Sequence, residues 1–132
     1  MKRYNIELNE DQLLLVANCL EDISRFASGQ CEMRYTIGKI LHELSFDEKI
    51  KRRNCVEKLL KKSKGVLLPN IAYDVYKGYD SSEFIGNTYQ IYRSILHQLA
   101  IDNNWNNVYS SPSLPSGNMG EVKIKLISKN NI

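Results

Sequence analysis

Between Asn9 and Ser28 the chain carries apolar residues on more than one side of a helix, and this limits most what it can become. Leu13, Val16, Ala17, Leu20 and Ile23 recur at helical spacing. Leu14 and Leu15 add apolar surface outside that stripe. Such a helix is either central to the fold or pressed against another subunit. Its start is written in the sequence. Asn9 can cap it, Gln12 stands at the capping-box offset, and Glu10 and Asp11 suit the positive end of the helix dipole. Ser28-Gly29 interrupts the pattern.

Periodicity resumes at Met33, Ile37, Ile40, Leu41 and Leu44, which predicts a second helix over 30–44. Ser45, with Glu48 three residues on, starts a third. It is expected to run to about Ser63, with Gly65 ending it and Ile50, Val56, Leu59 and Leu60 as a thin apolar side. A last helix is expected from Gly86 or Asn87 to Asp102. Two segments alternate with period two. Tyr4, Ile6 and Leu8 share one face near the start, and Val122, Ile124 and Leu126 share one near the end. The expected fold class is therefore α+β: mainly helical, with a small antiparallel sheet of N-terminal and C-terminal strands. At 132 residues a single domain over 1–132 is expected.

The chemistry-bearing residues exclude more than they identify. His42 and His97 belong to no metal-ligand spacing, and no nucleophile elbow, Walker sequence or dinucleotide fingerprint is present. Glu21-Asp22 and Asp47-Glu48 are adjacent pairs that do not face one another on a helix, and they read as solvated charges. The expectation is no enzyme, no metal and no cofactor. Cys19, Cys31 and Cys55 form no C-x-x-C pair and read as small buried hydrophobes. No apolar run is long enough to span a membrane and no leader pattern opens the chain, so a cytoplasmic protein is expected.

Three features stand above this background. Ser24, Arg25, Ser28, Gly29 and Gln30 place an arginine, hydroxyls, a glycine and an amide at a helix junction, a composition suited to an anionic ligand. Tyr73, Tyr76, Tyr79, Phe84, Tyr89 and Tyr92 crowd into one region and suit base stacking, a subunit interface or an ordinary core edge. From Lys49 to Lys64 eight basic residues face one acid, Glu57. Such a run suits a solvated face or attraction to polyanions.

Short pieces along residues 4 to 125 resemble one family. They are Ser24-Arg25-x-x-x-Gly29-Gln30, Leu68-Pro69, Ile85-Gly86-Asn87, the run Tyr89-x-Ile91-Tyr92-x-x-Ile95-x-His97-x-Leu99-Ala100-x-Asp102, and Tyr109-Ser110-x-Pro112 before a glycine-containing turn. Together they look like the Thoeris anti-defence type 1 proteins of phages. That resemblance implies a sponge that binds a cyclic ADP-ribose isomer without cleaving it and so blocks a bacterial immune signal in the host cytoplasm. It further implies pockets between subunits, a dimer or hexamer, a small antiparallel sheet, and in some members separate sites for cyclic oligonucleotides. The ligand-binding residues it implies here are Arg25, Gln30, Phe84, Asn87, Tyr89, Tyr92, Arg93 and His97. The family arginine before the histidine is Leu96 in this chain, and Arg93, one turn earlier, is the expected substitute. The usual tryptophan after Leu-Ala is Ile101. The partners expected are a cyclic nucleotide and further copies of the chain, with no membrane. The alternative is a small nucleic-acid-binding or regulatory protein using the basic helix 49–64.

Overall fold

A computed structural model describes residues 1–70, 77–78 and 81–129. Among these the fold is helical: α1 (Glu10–Ala27), α2 (Arg34–Ile40), α3 (Phe46–Leu67) and α4 (Glu83–Asn103), then a single 3-10 turn (Val108–Ser110). The core lies between α1 and α4. Ala17 packs with Tyr92, Ile95, Leu96 and Leu99, and Leu13, Leu14, Leu20 and Trp105 close its edges. Ala17 is fully buried, and its small side chain lets the helices approach. The two run antiparallel. Ser24, late in α1, donates to the carbonyl of Ile85, early in α4, while Leu14 and Leu96 share a cleft at the other end.

The start of α1 is as the sequence writes it. The Asn9 side chain accepts from the Gln12 amide at 2.9 Å, and the Gln12 side chain accepts from the Asn9 amide at 3.0 Å. At its far end the Gln30 amide donates to the Arg25 carbonyl at 2.8 Å and the Gly29 amide to Phe26. Gly29 has φ 100, a left-handed conformation that closes a Schellman-type cap and that a β-carbon would strain.

The expected α+β class is overturned, because no strand forms among the described residues. Residues 1–8 form neither helix nor strand and are exposed throughout, with Tyr4 at 80% and Ile6 at 78% of full accessibility. Alternation supplies two faces, but a strand also needs an edge to pair with. The C-terminal segment does not offer one. Glu121, Val122, Lys123 and Ile124 border a cleft with Ser94, His97 and Gln98, so they run along α4.

Other boundaries shift for local reasons. The second helix shrinks to Arg34–Ile40 because Met33 takes a left-handed conformation, φ 43, immediately before it. The third passes through Gly65 and ends at Leu67, before Pro69. Its apolar side is only partly covered: Val56 and Leu60 are half-buried, whereas Ile50 and Leu59 are exposed. The fourth begins at Glu83, earlier than periodicity alone indicated, because the Ser82 hydroxyl accepts from the Ile85 amide. Of the cysteines, Cys31 is buried, Cys19 half-buried and Cys55 exposed. No helix among the described residues is long and apolar enough to cross a membrane.

Candidate functional site

The Schellman-type turn at the end of α1 folds Gln30 back beside Arg25. The Ser28 carbonyl there accepts from the Lys77 amide at 2.6 Å, which brings Lys77 and Gly78 over the helix end. The first turns of α4 face the same place. The result is a cleft of about 350 Å³ lined by Ser24, Arg25, Ser28, Gln30, Lys77, Gly78, Ile85, Tyr89 and Tyr92. Among the described residues its lining holds two cationic side chains, an amide, two serines and two rings, with no carboxylate and no histidine. Tyr89 and Tyr92 meet edge to face, their centroids 5.4 Å apart. Burial pushes the Tyr92 hydroxyl up to about 12, so it stays protonated at neutral pH.

Four of the residues expected to bind ligand, Arg25, Gln30, Tyr89 and Tyr92, are thus brought together. The other four residues expected to bind ligand lie elsewhere. Phe84 is 55% exposed and Asn87 is occupied with the tail. The Asn87 Oδ1 accepts from the amides of Asn118 and Met119, and its Nδ2 donates to Asn118 Oδ1 at 2.8 Å. Gln90 completes that clamp, accepting from the Gly117 amide at 2.7 Å. Arg93 does not reach the cleft lining. It is 8% exposed, donates to the carbonyls of Val108 and Ser111, and stacks over the Tyr109 ring at 4.8 Å. His97 donates from Nδ1 to the Tyr109 carbonyl at 2.9 Å. Both therefore hold the turn that carries Tyr109. Leu96, where the resemblance implied an arginine, is core. Tyr73, Tyr76 and Tyr79 lie outside the described residues.

The pair Glu21-Asp22, expected to be solvated, is not. Asp22 is 4% exposed, and its carboxylate accepts from the amides of Tyr35 at 3.2 Å and Thr36 at 2.6 Å. It caps α2 from α1, replacing the side-chain cap that Met33 does not provide. Glu21 accepts from the Tyr109 hydroxyl at 2.7 Å and stands 3.8 Å from Arg25. A helical wheel could place Glu21 on the Arg25 side. Nothing local to Asp22 names α2, because the partner depends on the turn between the helices.

Lys77 was also missed, since no periodic pattern leads to it. Among the described residues no group of three or more histidine, cysteine, aspartate or glutamate side chains could hold a metal ion. Comparison of the chain with protein families, with curated proteins and with solved structures found no match.

Proposed function

We propose that the cleft at the end of α1 takes up a nucleotide-like anion and holds it unchanged, in the manner of a sponge for a cyclic nucleotide immune signal. The observation that carries this reading is the convergence of Arg25 and Gln30 from the end of α1 and Tyr89 and Tyr92 from α4 with Lys77 on one cleft. A pyrophosphate asks for arginine and amide donors, and a base or ribose for rings. Hydrolysis would ask for a general base or a metal, and the described residues of the lining include no histidine or carboxylate to pair with the serine hydroxyls or to hold a metal ion. Its volume falls at the small end of the usual range of about 300–1,000 Å³ for ligand pockets. Leu15 and Ile23, exposed on α1, support a homo-oligomer.

The test is to recover the folded protein from cells making candidate cyclic nucleotides, denature it, and identify any released molecule by mass spectrometry. An intact cyclic nucleotide in stoichiometric amount is expected, and its loss in Arg25→Ala. Recovery of a linear product at many turnovers, or of no small molecule, would overturn the reading. A second reading rests on α3, where Lys51, Arg52, Arg53, Lys58 and Lys62 are all exposed. Nucleic-acid binding there would fall steeply with salt and be insensitive to Arg25→Ala.

A further inference from the structure

Arg25 does not face the cleft alone. Its Nη2 stands 3.8 Å from Glu21 Oε2, one helical turn earlier, too far for a hydrogen bond but close enough for attraction. The other carboxylate oxygen, Oε1, accepts from the Tyr109 hydroxyl at 2.7 Å. Tyr109 comes from a separate part of the chain and is itself fixed. Arg93 lies over its ring, and His97 donates to its carbonyl. We infer that Glu21 is the internal counter-anion of Arg25 and that Tyr109 holds it back, so that the guanidinium keeps its donors available for a ligand anion. Arg93 and His97, by fastening the turn of Tyr109, act on the cleft from behind it. The inference rests on the cleft being an anion site, as proposed above.

The chemistry sets a sign for each substitution. A carboxylate this close to Arg25 repels a bound anion. Glu21→Gln removes that charge, while its amide oxygen can still accept from Tyr109. Binding should tighten about five- to tenfold, the scale of a unit charge some 6–7 Å away in a partly solvated medium. Tyr109→Phe removes the hydroxyl that restrains the carboxylate. Glu21 then needs another donor, and Arg25 is the nearest cation the structure pairs with it. The two would close into a direct pair, and an anion would have to break it. Binding should weaken about three- to tenfold. The double variant should behave like Glu21→Gln, because without the carboxylate there is nothing for Tyr109 to restrain. Burial, and then the Glu21 carboxylate, push the Tyr109 hydroxyl up, which keeps it a donor across the neutral range.

A merely structural role for these residues would weaken binding in both single variants. Opposite signs, with the double variant following Glu21→Gln, distinguish the two cases. The experiment is calorimetry with ADP-ribose on all three variants and on the natural chain, with thermal melts to confirm folding. Alongside it, NMR of the Arg25 guanidinium should show slowed rotation in Tyr109→Phe without any ligand, as the direct pair forms. Changes of the same sign overturn the inference. Unaltered guanidinium rotation in a folded Tyr109→Phe protein also overturns it, whatever binds. If the natural chain fails to bind ADP-ribose while rotation slows as expected, the anion-site reading falls, and the inference about ligand binding falls with it. The Glu21–Tyr109 restraint would then stand only as packing.

Discussion

Asp22→Ala should be among the most damaging single changes on α1, although nothing in the sequence distinguishes Asp22 from a surface acid. The carboxylate is buried and accepts from two amides in the first turn of α2, at 3.2 and 2.6 Å. Each is a charge-assisted bond at the positive end of a helix, and such bonds contribute about 1.5–3 kcal/mol. Their sum would be about 3–6 kcal/mol. Tyr35 and Thr36 are only half-buried, so water can reach the freed amides and recover part of it. The net cost expected is about 2–3 kcal/mol. For a chain of this length that is a fall in Tm of roughly 6–15 °C. Urea melts should show a lower midpoint at unchanged slope, and hydrogen exchange should accelerate first at Tyr35 and Thr36. Asp22→Asn should fall between, since one oxygen can still accept while the amide group opposes the second donor. An Asp22→Ala protein within about 0.5 kcal/mol of the natural chain would refute the claim that α2 is capped from α1.

Three further outcomes are expected. Gly117→Ala should detach the tail, because a β-carbon there would come within 2.3 Å of Asn87 Oδ1 and 3.1 Å of Asn87 Cα; faster proteolysis after α4 with little change in helical circular dichroism would report it. Leu96→Arg should destabilise by about 3 kcal/mol or more, since Leu96 is core and an ion there is desolvated; a folded variant with gained ligand affinity would refute that placement. Stability should also fall in alkali. Burial raises the Tyr92 hydroxyl from 10.0 to about 12, so the folded chain holds that proton more tightly than the unfolded chain does. Its contribution is therefore complete below about pH 10 and is lost as pH rises towards 12, and Tyr92→Phe should flatten that part of the profile in urea melts.

What the sequence made legible was local. The capping box of Asn9 and Gln12 and the polar stop of α4 depend on residues within a few positions of one another, and they form as expected, whereas the stripe of α1 packs through Leu13, Ala17 and Leu20 together with Leu14 and leaves Val16 and Ile23 exposed. The sheet did not follow, because the alternation near Tyr4 and near Ile124 specifies faces and not a partner. Asn87 and Gln90 engage the tail on α4 and leave residues 1–8 without an edge. The same distinction divides the eight expected ligand residues. Arg25 and Gln30 are joined by one tight turn, and Tyr89 and Tyr92 lie on one helix face, so these four come to one cleft. Asn87, Arg93 and His97 have side chains equally able to serve a ligand or an irregular segment. The tail after α4, with few regular backbone bonds of its own, takes them.

That allocation follows from polar accounting. A segment packed against a helix without strand or helix geometry leaves amides and carbonyls that must find partners. Here α4 supplies them: Asn87 and Gln90 to the amides of 117–119, and Arg93 and His97 to the carbonyls of Val108, Ser111 and Tyr109. The helix thus spends one polar face on the tail and presents another, with Tyr89 and Tyr92, to the cleft. The faces meet at Tyr109, whose ring lies against Arg93 and whose hydroxyl reaches Glu21 beside Arg25. Substitutions at Arg93 should consequently act on the cleft through the tail. Arg93→Lys keeps the charge but loses the planar guanidinium that stacks on the Tyr109 ring while its Nη2 serves two carbonyls. It should loosen the turn at 108–110, seen as faster exchange of the Ser110 amide, and weaken anion binding no more than Tyr109→Phe does. A loss of binding as large as that of Arg25→Ala, with the turn still protected, would place Arg93 in the cleft after all.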